Sequence, residues 1–270
     1  YKYRKEYFMY VVKPDIFLQR MNILIYGDPG AGKTHLAGTA QDHPLMANVH
    51  VFNIDGGLLT LASRGDIRAS DISSVDDLEN EMWKIASGHS DYEDINTIVI
   101  DNITELQTLS LEEITRKEVL TNTTRQNRGA TIDDVYLEDY GKSTTQLSRV
   151  LRGFRDLPLN KIYIAHKKDK MRGNSSVVES TVPSLTNKLG TAVSGYMDFV
   201  WYLYHATEDV VNESGDTHSE LHRYLLTQTY DVYFAKTRGQ RFADRLGSVI
   251  RDPNMAEIFD LYMETHNLND

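Results

Sequence analysis

The sequence contains no cysteine, and this absence excludes two kinds of site. Neither a disulfide bond nor a thiolate-ligated metal ion can form, and a chain without thiols fits the reducing conditions of the cytoplasm. Long apolar runs are also lacking: none approaches the roughly 20 residues that a membrane-spanning helix needs, and no signal-peptide pattern opens the chain. We therefore expect a cytoplasmic protein that acts without a membrane.

An excess of basic residues is lacking as well. The chain has 29 lysines and arginines against 39 aspartates and glutamates, so its formal net charge is −10. Taken whole, this is not the charge pattern of a nucleic-acid binder, and any contact with DNA or RNA must come from a local patch. The first residue is Tyr1 rather than methionine, and Met21 precedes the first clear strand. The sequence therefore leaves the true start open.

Short apolar runs alternate with amphipathic stretches along the first two thirds of the chain. This alternation predicts an α/β fold: a mostly parallel sheet with right-handed crossovers, flanked by helices. Farther on, two aromatic-rich strands around a polar tip at 207–219 predict a C-terminal antiparallel hairpin extension. Residues 1–20 are predicted to be an arm or an added strand, and residues 21–270 a single domain. The predicted strands are 22–26, 49–54, 97–100, 161–165 and 231–235, and the predicted helices are 33–40, 74–87, 104–120, 137–154, 185–196 and 255–266. Residues 121–131 have the composition of a loop, and the apolar pattern disappears over 167–183, a connection long enough to indicate a functional or mobile segment.

A glycine-rich segment between the first predicted strand and helix matches the phosphate-loop pattern G-x-x-x-x-G-K-[ST] at every fixed position. Its glycines let backbone N–H groups turn toward phosphate oxygens. The lysine would reach the β- and γ-phosphates of ATP, and the threonine hydroxyl would ligate Mg²⁺. A chance match in a glycine-rich turn is the alternative, and the strand–loop–helix context argues against it. The eight residues are Gly27, Asp28, Pro29, Gly30, Ala31, Gly32, Lys33 and Thr34.

Two aspartates follow predicted strands. Asp101 ends the apolar run 97–100, as a Walker B aspartate does, and would hold Mg²⁺ directly or through water. Asn102 comes next, so the catalytic glutamate that directly follows this aspartate in AAA+ proteins is absent. Another carboxylate must then orient the attacking water, and Asp55, after the second strand, is the candidate general base. The alternatives are that Asp101 caps the next helix and that Asp55 is a turn residue.

The order of these features resembles the RecA-like ATPase core. In that family a carboxylate after the second strand activates water, and this position falls on Asp55. A polar residue at the end of the fourth strand senses the γ-phosphate and communicates with the DNA-binding loop, which here implies His166. Recombinases more usually have glutamine at that position. The resemblance thus implies a RecA-like P-loop fold with ATP and Mg²⁺ as its ligands.

A basic element near the C-terminus, Ala-Lys236-Thr-Arg238-Gly, resembles the Lys-x-Arg-x-Gly element of RecA-like hexameric helicases and RadA-type proteins. There, the two cations reach across a subunit interface to the neighbour's γ-phosphate. The resemblance implies the same catalytic role for Lys236 and Arg238. Without it, an exposed basic strand end is an equally good interpretation.

Within this group the chain resembles small phage-encoded ATPases of AAA type that act in single-strand annealing and recombination, over about residues 22–247. The resemblance implies a homo-oligomeric ring or filament on single-stranded DNA, with nucleotide at the subunit interfaces. It also implies a phage single-strand binding protein as a further partner, and the cytoplasm of a bacterial host. The family's DNA-facing loop after the fourth strand falls on a basic run, whose alternative interpretation is solvated surface charge. The basic residues are Lys167, Lys168, Lys170 and Arg172.

Three other functions stay open from the sequence. The first is an AAA+-type loader of a replication protein, against which Asn102 and the lack of a clear helical lid count. The second is a P-loop kinase for a small molecule, because kinases close a basic lid over the acceptor and the segment 167–172 could serve as one. The third is a nucleotide-gated module that anneals strands with little turnover.

Overall fold

The structure, a computed structural model, describes residues 20–211 and 216–266. The predicted N-terminal arm lies outside these residues except for Arg20, as does the centre of the predicted hairpin tip. Within the described part, ten strands form one sheet. The strands are β1 (Asn22–Gly27), β2 (Val49–Asn53), β3 (Arg68–Asp71), β4 (Thr97–Asp101), β5 (Asn160–Met171), β6 (Val178–Pro183), β7 (Phe199–Val211), β8 (Thr217–Leu226), β9 (Lys236–Thr237) and β10 (Val249–Arg251).

The helices confirm most of the predicted ones and add shorter ones. In the second helix, Ser74 accepts a hydrogen bond from the backbone N–H of Asp77 at 3.0 Å, as expected of a capping serine. Among the described residues, no helix combines the length and apolar character needed to cross a bilayer. The helices are α1 (Lys33–Gly38), α2 (Val75–Ala86), α3 (Ile103–Thr121), α4 (Thr123–Asn127), α5 (Leu137–Asp156), α6 (Asn187–Tyr196), α7 (Gln240–Leu246) and α8 (Met255–His266).

The sheet has the strand order β10-β8-β7-β1-β5-β4-β2-β3, with β6 paired to β5 and β9 paired to β7. The six strands from β7 to β3 run parallel. On the other side of β7, the hairpin partner β8 runs antiparallel to it. This confirms the predicted mixed α/β fold, its mostly parallel sheet and its antiparallel extension. β5, which carries His166, lies between β1, which leads into the phosphate loop, and β4, which ends at Asp101.

Both faces of the sheet are buried, which explains why its strands are continuous apolar runs. Along β1, Leu24 and Tyr26 belong to the core formed with α2, α3, α5 and α6. The alternate residues Ile23 and Ile25 belong to a second core, formed with α1, α7 and α8. The period of two along the strand thus assigns successive side chains to opposite helix layers.

Two segments predicted to lack structure are ordered in pairs of strands. The run 167–183 is not a loose connection, because β5 continues to Met171 and pairs antiparallel with β6. The hairpin tip is also shorter than 207–219, since β7 and β8 remain paired out to Val211 and Thr217. Backbone hydrogen bonds hold such arms together without a buried apolar face, so the apolar pattern used to find strands does not show them.

Two smaller predictions are wrong, one because of a tight turn and the other because of an ion pair between residues distant in sequence. Residues 231–235 are not a strand: Tyr230 and Tyr233 exchange backbone hydrogen bonds around a turn in which Asp231 has φ of 51°. The polar segment 121–131, predicted to be a loop, contains α4. Its Arg125 is 3% exposed and donates to both carboxylate oxygens of Asp139, at 2.9 and 2.7 Å. This long-range ion pair fixes a helix whose composition alone indicates a loop.

Candidate active site

The phosphate loop is shaped by close backbone contacts around three glycines. A Cβ on Gly27 would overlap the carbonyl oxygen of Leu203 on the neighbouring strand β7. Gly30 and Gly32 have φ of 79° and 91°, in the left-handed region that other residues rarely adopt. The loop closes with a hydrogen bond of 3.2 Å from the N–H of Ala31 to the carbonyl of Asp28. This geometry requires glycine where the sequence pattern has it.

The side chain of Lys33 lies inside the loop. Lys33 is only 6% exposed, and its Nζ donates to the carbonyls of Gly27 at 3.1 Å and Asp28 at 2.8 Å. Burial lowers the pKa of Lys33, and the nearby carboxylates of Asp101, Asp28 and Asp55 oppose this effect. An anion entering the loop would supply the negative charge that the buried ammonium group lacks.

Thr34 and Asp101 meet across the edge of the sheet. The Thr34 hydroxyl donates to Oδ2 of Asp101 at 2.6 Å, and Asp101 is 4% exposed. Burial raises the pKa of Asp101 to about 6, the Thr34 hydrogen bond and the charge of Lys33 oppose the rise, and Asp55 adds to it. Two adjacent hard oxygen ligands, one of them a buried carboxylate short of positive charge, fit Mg²⁺. Thr34 and Asp101 are the residues that would hold it.

Asp55 lies beside this pair, joined to it through Asn102. The amide Nδ2 of Asn102 donates to Oδ2 of Asp55 at 2.7 Å, and it is 3.4 Å from Nε2 of His166. The other Asp55 oxygen accepts from the N–H of Gly57 at 2.9 Å. Asp55 and Asn102 follow β2 and β4, and His166 lies in the adjacent strand β5, level with Gly27 at the end of β1. The structure thus brings together Asp55 and His166, which the sequence analysis assigned separately.

Asn102 itself was missed as a functional residue, because the sequence analysis treated it only as a missing glutamate. It is 1% exposed, and its Oδ1 accepts the N–H of Glu105 at 2.8 Å, so it also caps α3. The Asn102 side chain therefore caps α3 with its oxygen and orients the Asp55 carboxylate with its nitrogen. The sequence signal that could have identified Asn102 is its position directly after the Walker B strand.

His166 adjoins Asn102 from the central strand β5. Its backbone N–H donates to the Thr104 hydroxyl at 3.0 Å. Burial and the charge of Lys33 lower the pKa of His166, which favours the neutral imidazole. Its Nδ1 is buried and has no hydrogen-bond partner among the described residues. The His166 ring thus lies beside Asn102, and its buried Nδ1 makes no hydrogen bond to the described residues.

The basic residues after His166 lie on the β5–β6 arm, which we define as residues 167–183. Lys167 lies 3.4 Å from a carboxylate oxygen of Asp28 in the phosphate loop. Lys168 donates to the Leu185 carbonyl. With Lys170, it lines a cavity of about 400 Å³ between the arm and α6. The predicted flexible loop is therefore a structured arm in contact with the phosphate loop, and its role in DNA binding stays a prediction.

Lys236 and Arg238 lie at the opposite edge of the sheet. β9 pairs with the first residues of β7, whereas the phosphate loop is level with Leu203, farther along that strand. Lys236 donates to the Ser194 carbonyl at 2.5 Å, and Arg238 donates to Gly195 and Asp198 at 3.0 and 2.8 Å. In a single chain, the two cations fix the C-terminal end of α6. Their action on a neighbour's nucleotide stays a prediction.

Comparison with known proteins gives one positive result. A family model described as an AAA domain matches residues 19–239. The match covers most of the chain and includes the phosphate loop, both strand-end aspartates and the basic element of β9. None of the curated proteins compared with the chain matches it.

Proposed function

The chain belongs to the family of this AAA-domain model, and from that premise we propose that it hydrolyses ATP at the site around Lys33 under the control of single-stranded DNA. A P-loop ATPase of this family binds nucleotide at the glycine-rich loop. One observation carries the proposal for hydrolysis: Asn102 links the Asp55 carboxylate to the Walker B strand at 2.7 Å, beside the hydrogen-bonded pair of Thr34 and Asp101. Asp55 is thus available to orient the attacking water, although no glutamate follows the Walker B aspartate.

The loop and its lysine would bind the phosphates. The backbone N–H groups of the glycine-rich turn provide donors for the phosphate oxygens, and the Lys33 ammonium exchanges its two carbonyl partners for phosphate. Mg²⁺ held by Thr34 and Asp101 would neutralise charge on the phosphates during transfer. Lys33 therefore contributes mainly by neutralising charge that grows in the transition state.

Asp55 would accept the proton of the attacking water. The water oxygen bonds to the γ-phosphorus, the bond from this phosphorus to the bridging oxygen breaks, and ADP and phosphate leave. Each Asp55 oxygen already accepts one N–H, from Asn102 and from Gly57, which fixes its orientation while leaving lone pairs for water. Asn102 is a positioning residue in this scheme, and His166 links it to β5.

Single-stranded DNA is the proposed effector, and the β5–β6 arm is its proposed contact. Lys167 pairs with Asp28 in the phosphate loop, while Lys170 and Arg172 are exposed farther along the arm. One strand therefore joins the candidate DNA contacts to both His166 and the loop. Phosphate contacts without base readout suit the lysines and the arginine. We extend the proposal to a phage recombination or replication protein that forms a homo-oligomer on DNA and cooperates with a single-strand binding protein.

The first test is ATP hydrolysis with and without single-stranded DNA, with Lys33→Ala as the blank. We expect slow turnover that DNA accelerates and that the Lys33 variant lacks. A rate that depends on Lys33 but is indifferent to DNA contradicts the DNA role and favours the loader or the kinase. Phosphate transfer to a nucleoside or nucleotide acceptor then separates those two.

A charge-matched pair of variants tests the arm. The double variant Lys170→Ala with Arg172→Ala should bind single-stranded DNA more weakly, with a slope of log affinity against log salt that is shallower by about 1.4, or 0.7 per lost phosphate contact. The control removes two basic residues from other surfaces, Lys84 on α2 and Arg245 on α7. Equal binding by both double variants would remove the arm from the DNA contact.

A further inference from the structure

The β7–β8 arm, which we define as the paired residues 204–211 and 217–224, extends past the phosphate loop. β7 runs parallel to β1 and is level with its end where Leu203 pairs with Gly27. Both arm strands continue beyond this point, with His205 paired to Arg223. The arm thus leaves the sheet at the edge where the phosphate loop begins, and Arg223 is close to that edge.

The Arg223 side chain rests against the loop. Its Nε is 2.6 Å, and its Cζ 3.4 Å, from the point where a Cβ on Gly32 would lie. The Arg223 backbone is fixed on both sides by Asp252, which accepts its N–H at 3.0 Å and donates to its carbonyl at 2.7 Å. The backbone from which the Arg223 side chain reaches the loop is therefore fixed.

The Arg223 guanidinium has no hydrogen-bond or ion-pair partner within residues 20–211 and 216–266. Other arginines of the same region are paired: Arg251 contacts Glu208 and His222, and Arg64 contacts Asp42. The charge of Arg223, after burial, contributes to lowering the pKa of His35 in the first turn of α1. An unpaired cation therefore lies beside the part of the loop that leads into α1.

Lys33 and Arg223 lie at different ends of the same loop. The Lys33 ammonium is bound at the beginning, by the carbonyls of Gly27 and Asp28, whereas Arg223 touches the end, at Gly32. In a phosphate loop the lysine serves the β- and γ-phosphates, and the backbone holds the α- and β-phosphates. A planar guanidinium with five donors is suited to hold a phosphate through two hydrogen bonds.

We propose that Arg223 of the β7–β8 arm binds the nucleotide in the same chain, at the α-phosphate end of the phosphate chain. The proposal rests on the proposed binding of ATP at the loop. It assigns the arm, which the sequence presents only as a polar hairpin, to the nucleotide site. Since ATP and ADP share the α-phosphate, Arg223 should matter for both, whereas a contact to the γ-phosphate would matter for ATP alone.

The experiment is calorimetric titration of ADP and of a non-hydrolysable ATP analogue, each with Mg²⁺, into wild type and Arg223→Ala. Loss of a charged hydrogen bond should weaken both nucleotides by a similar factor of about tenfold or more. Arg223→Lys should recover part of the loss, because it keeps the charge without the planar fork. The matched control is Arg251→Ala, which removes an arginine that contacts the same arm away from the loop and should bind both nucleotides like wild type.

Thermal melting shows whether each variant is folded, and Lys33→Ala separates two kinds of failure. If wild type binds neither nucleotide, the proposed function is wrong. If wild type binds, Lys33→Ala binds weakly and Arg223→Ala binds like wild type, only the role of Arg223 is wrong. A loss confined to the ATP analogue overturns the placement at the α-phosphate, and an equal loss in Arg251→Ala shows that the arm as a whole is responsible.

Discussion

At the carboxyl edge of the sheet, charged side chains from different strands face one another around the phosphate loop, whereas at the amino edge the basic residues of β9 are bound to α6. Asp55 and Asp101 are far apart in sequence and meet because parallel strands end at one edge. Lys236 and Arg238 donate to backbone carbonyls and to one aspartate of their own chain. A charged residue at the end of a strand therefore indicates a ligand site only where its hydrogen-bonding groups are not already bound within the fold.

This difference gives a rule that experiments can break. Substitutions at the carboxyl edge should change turnover strongly, while the free energy of unfolding changes by no more than about 2 kcal/mol. Substitutions at the amino edge should lower the free energy of unfolding, and they should change turnover only through an assembly of several chains.

Asp55→Asn should reduce ATP turnover by a factor of about 10²–10⁴, the usual contribution of a positioned general base. The asparagine keeps the size of the side chain and an oxygen for the N–H of Gly57, so nucleotide affinity should stay close to wild type. Its amide nitrogen faces the amide nitrogen of Asn102, and this lost hydrogen bond should cost about 1–2 kcal/mol of stability. Steady-state hydrolysis and nucleotide titration measure the two quantities separately. Unchanged turnover would leave Asp55 as a turn residue only.

Asn102→Ala should reduce turnover by a smaller factor, about 10–100, because it misplaces Asp55 without removing it. The change also removes the cap of α3, which costs about 1 kcal/mol of stability. Ser74→Ala is the matched control, since it removes the cap of α2 away from the site. Both variants should lose similar stability, and only Asn102→Ala should lose turnover. Equal turnover in the two would reduce Asn102 to a helix cap.

The double variant Lys236→Ala with Arg238→Ala should lower the free energy of unfolding by about 2–3 kcal/mol, through lost charged hydrogen bonds to α6 and to Asp198. Chemical denaturation measures this loss. Arg245→Ala, which removes an exposed ion pair on α7, should change stability by less than about 1 kcal/mol. If both variants are equally stable, the amino-edge contacts do not stabilise the fold.

The same double variant tests action across a subunit interface. Lys33→Ala has an inactive phosphate loop but keeps Lys236 and Arg238. The double variant keeps the phosphate loop but lacks these two residues. If Lys236 and Arg238 act on a neighbour, mixing the two inactive proteins should restore part of the activity at shared interfaces. If the double variant alone is active, and adding Lys33→Ala gives no activity beyond its own, the two residues serve only their own chain.

The part of the site that the sequence predicts is the part encoded locally. The phosphate loop has fixed spacing, and Asp101 follows an apolar run that could be identified as a buried strand. Asp55 is assigned from its place after the second strand, and His166 from the resemblance to RecA-like proteins. The sheet order explains why residues of neighbouring strands meet at this edge. The strands predicted from the sequence agree with the strands of the sheet here, because strands buried on both faces are strongly apolar and easily recognised.

The remaining features depend on partners distant in sequence. The β5–β6 arm and the outer part of the β7–β8 arm lack an apolar period, so the sequence pattern does not show how far these strands extend. The β7–β8 hairpin itself is predicted from its aromatic-rich strands. Lys236 pairs with Ser194, 42 positions away, and this pairing depends on the register of β9 against β7. Arg223 reaches the loop only through the pairing of β8, which no local motif specifies. These contacts exist only after the strands have paired, so a local sequence pattern does not show them.

The smallest predicted effect concerns the pH dependence of stability at the carboxyl edge. Burial raises the pKa of Asp101 from its ordinary 3.8 to about 6, so the folded chain binds this proton more tightly than the unfolded chain. The contribution of Asp101 to stability should therefore fall as pH rises from about 4 to 6 and stay level above that range. Asp101→Asn should be more stable than wild type at pH 8, by on the order of 1–2 kcal/mol, and this difference should close toward pH 4. Mg²⁺ with ADP should stabilise wild type more than the variant, because only wild type offers the carboxylate. If the difference between the two proteins is independent of pH, Asp101 is ionised in the folded chain throughout this range, and Thr34 and Lys33 offset its burial.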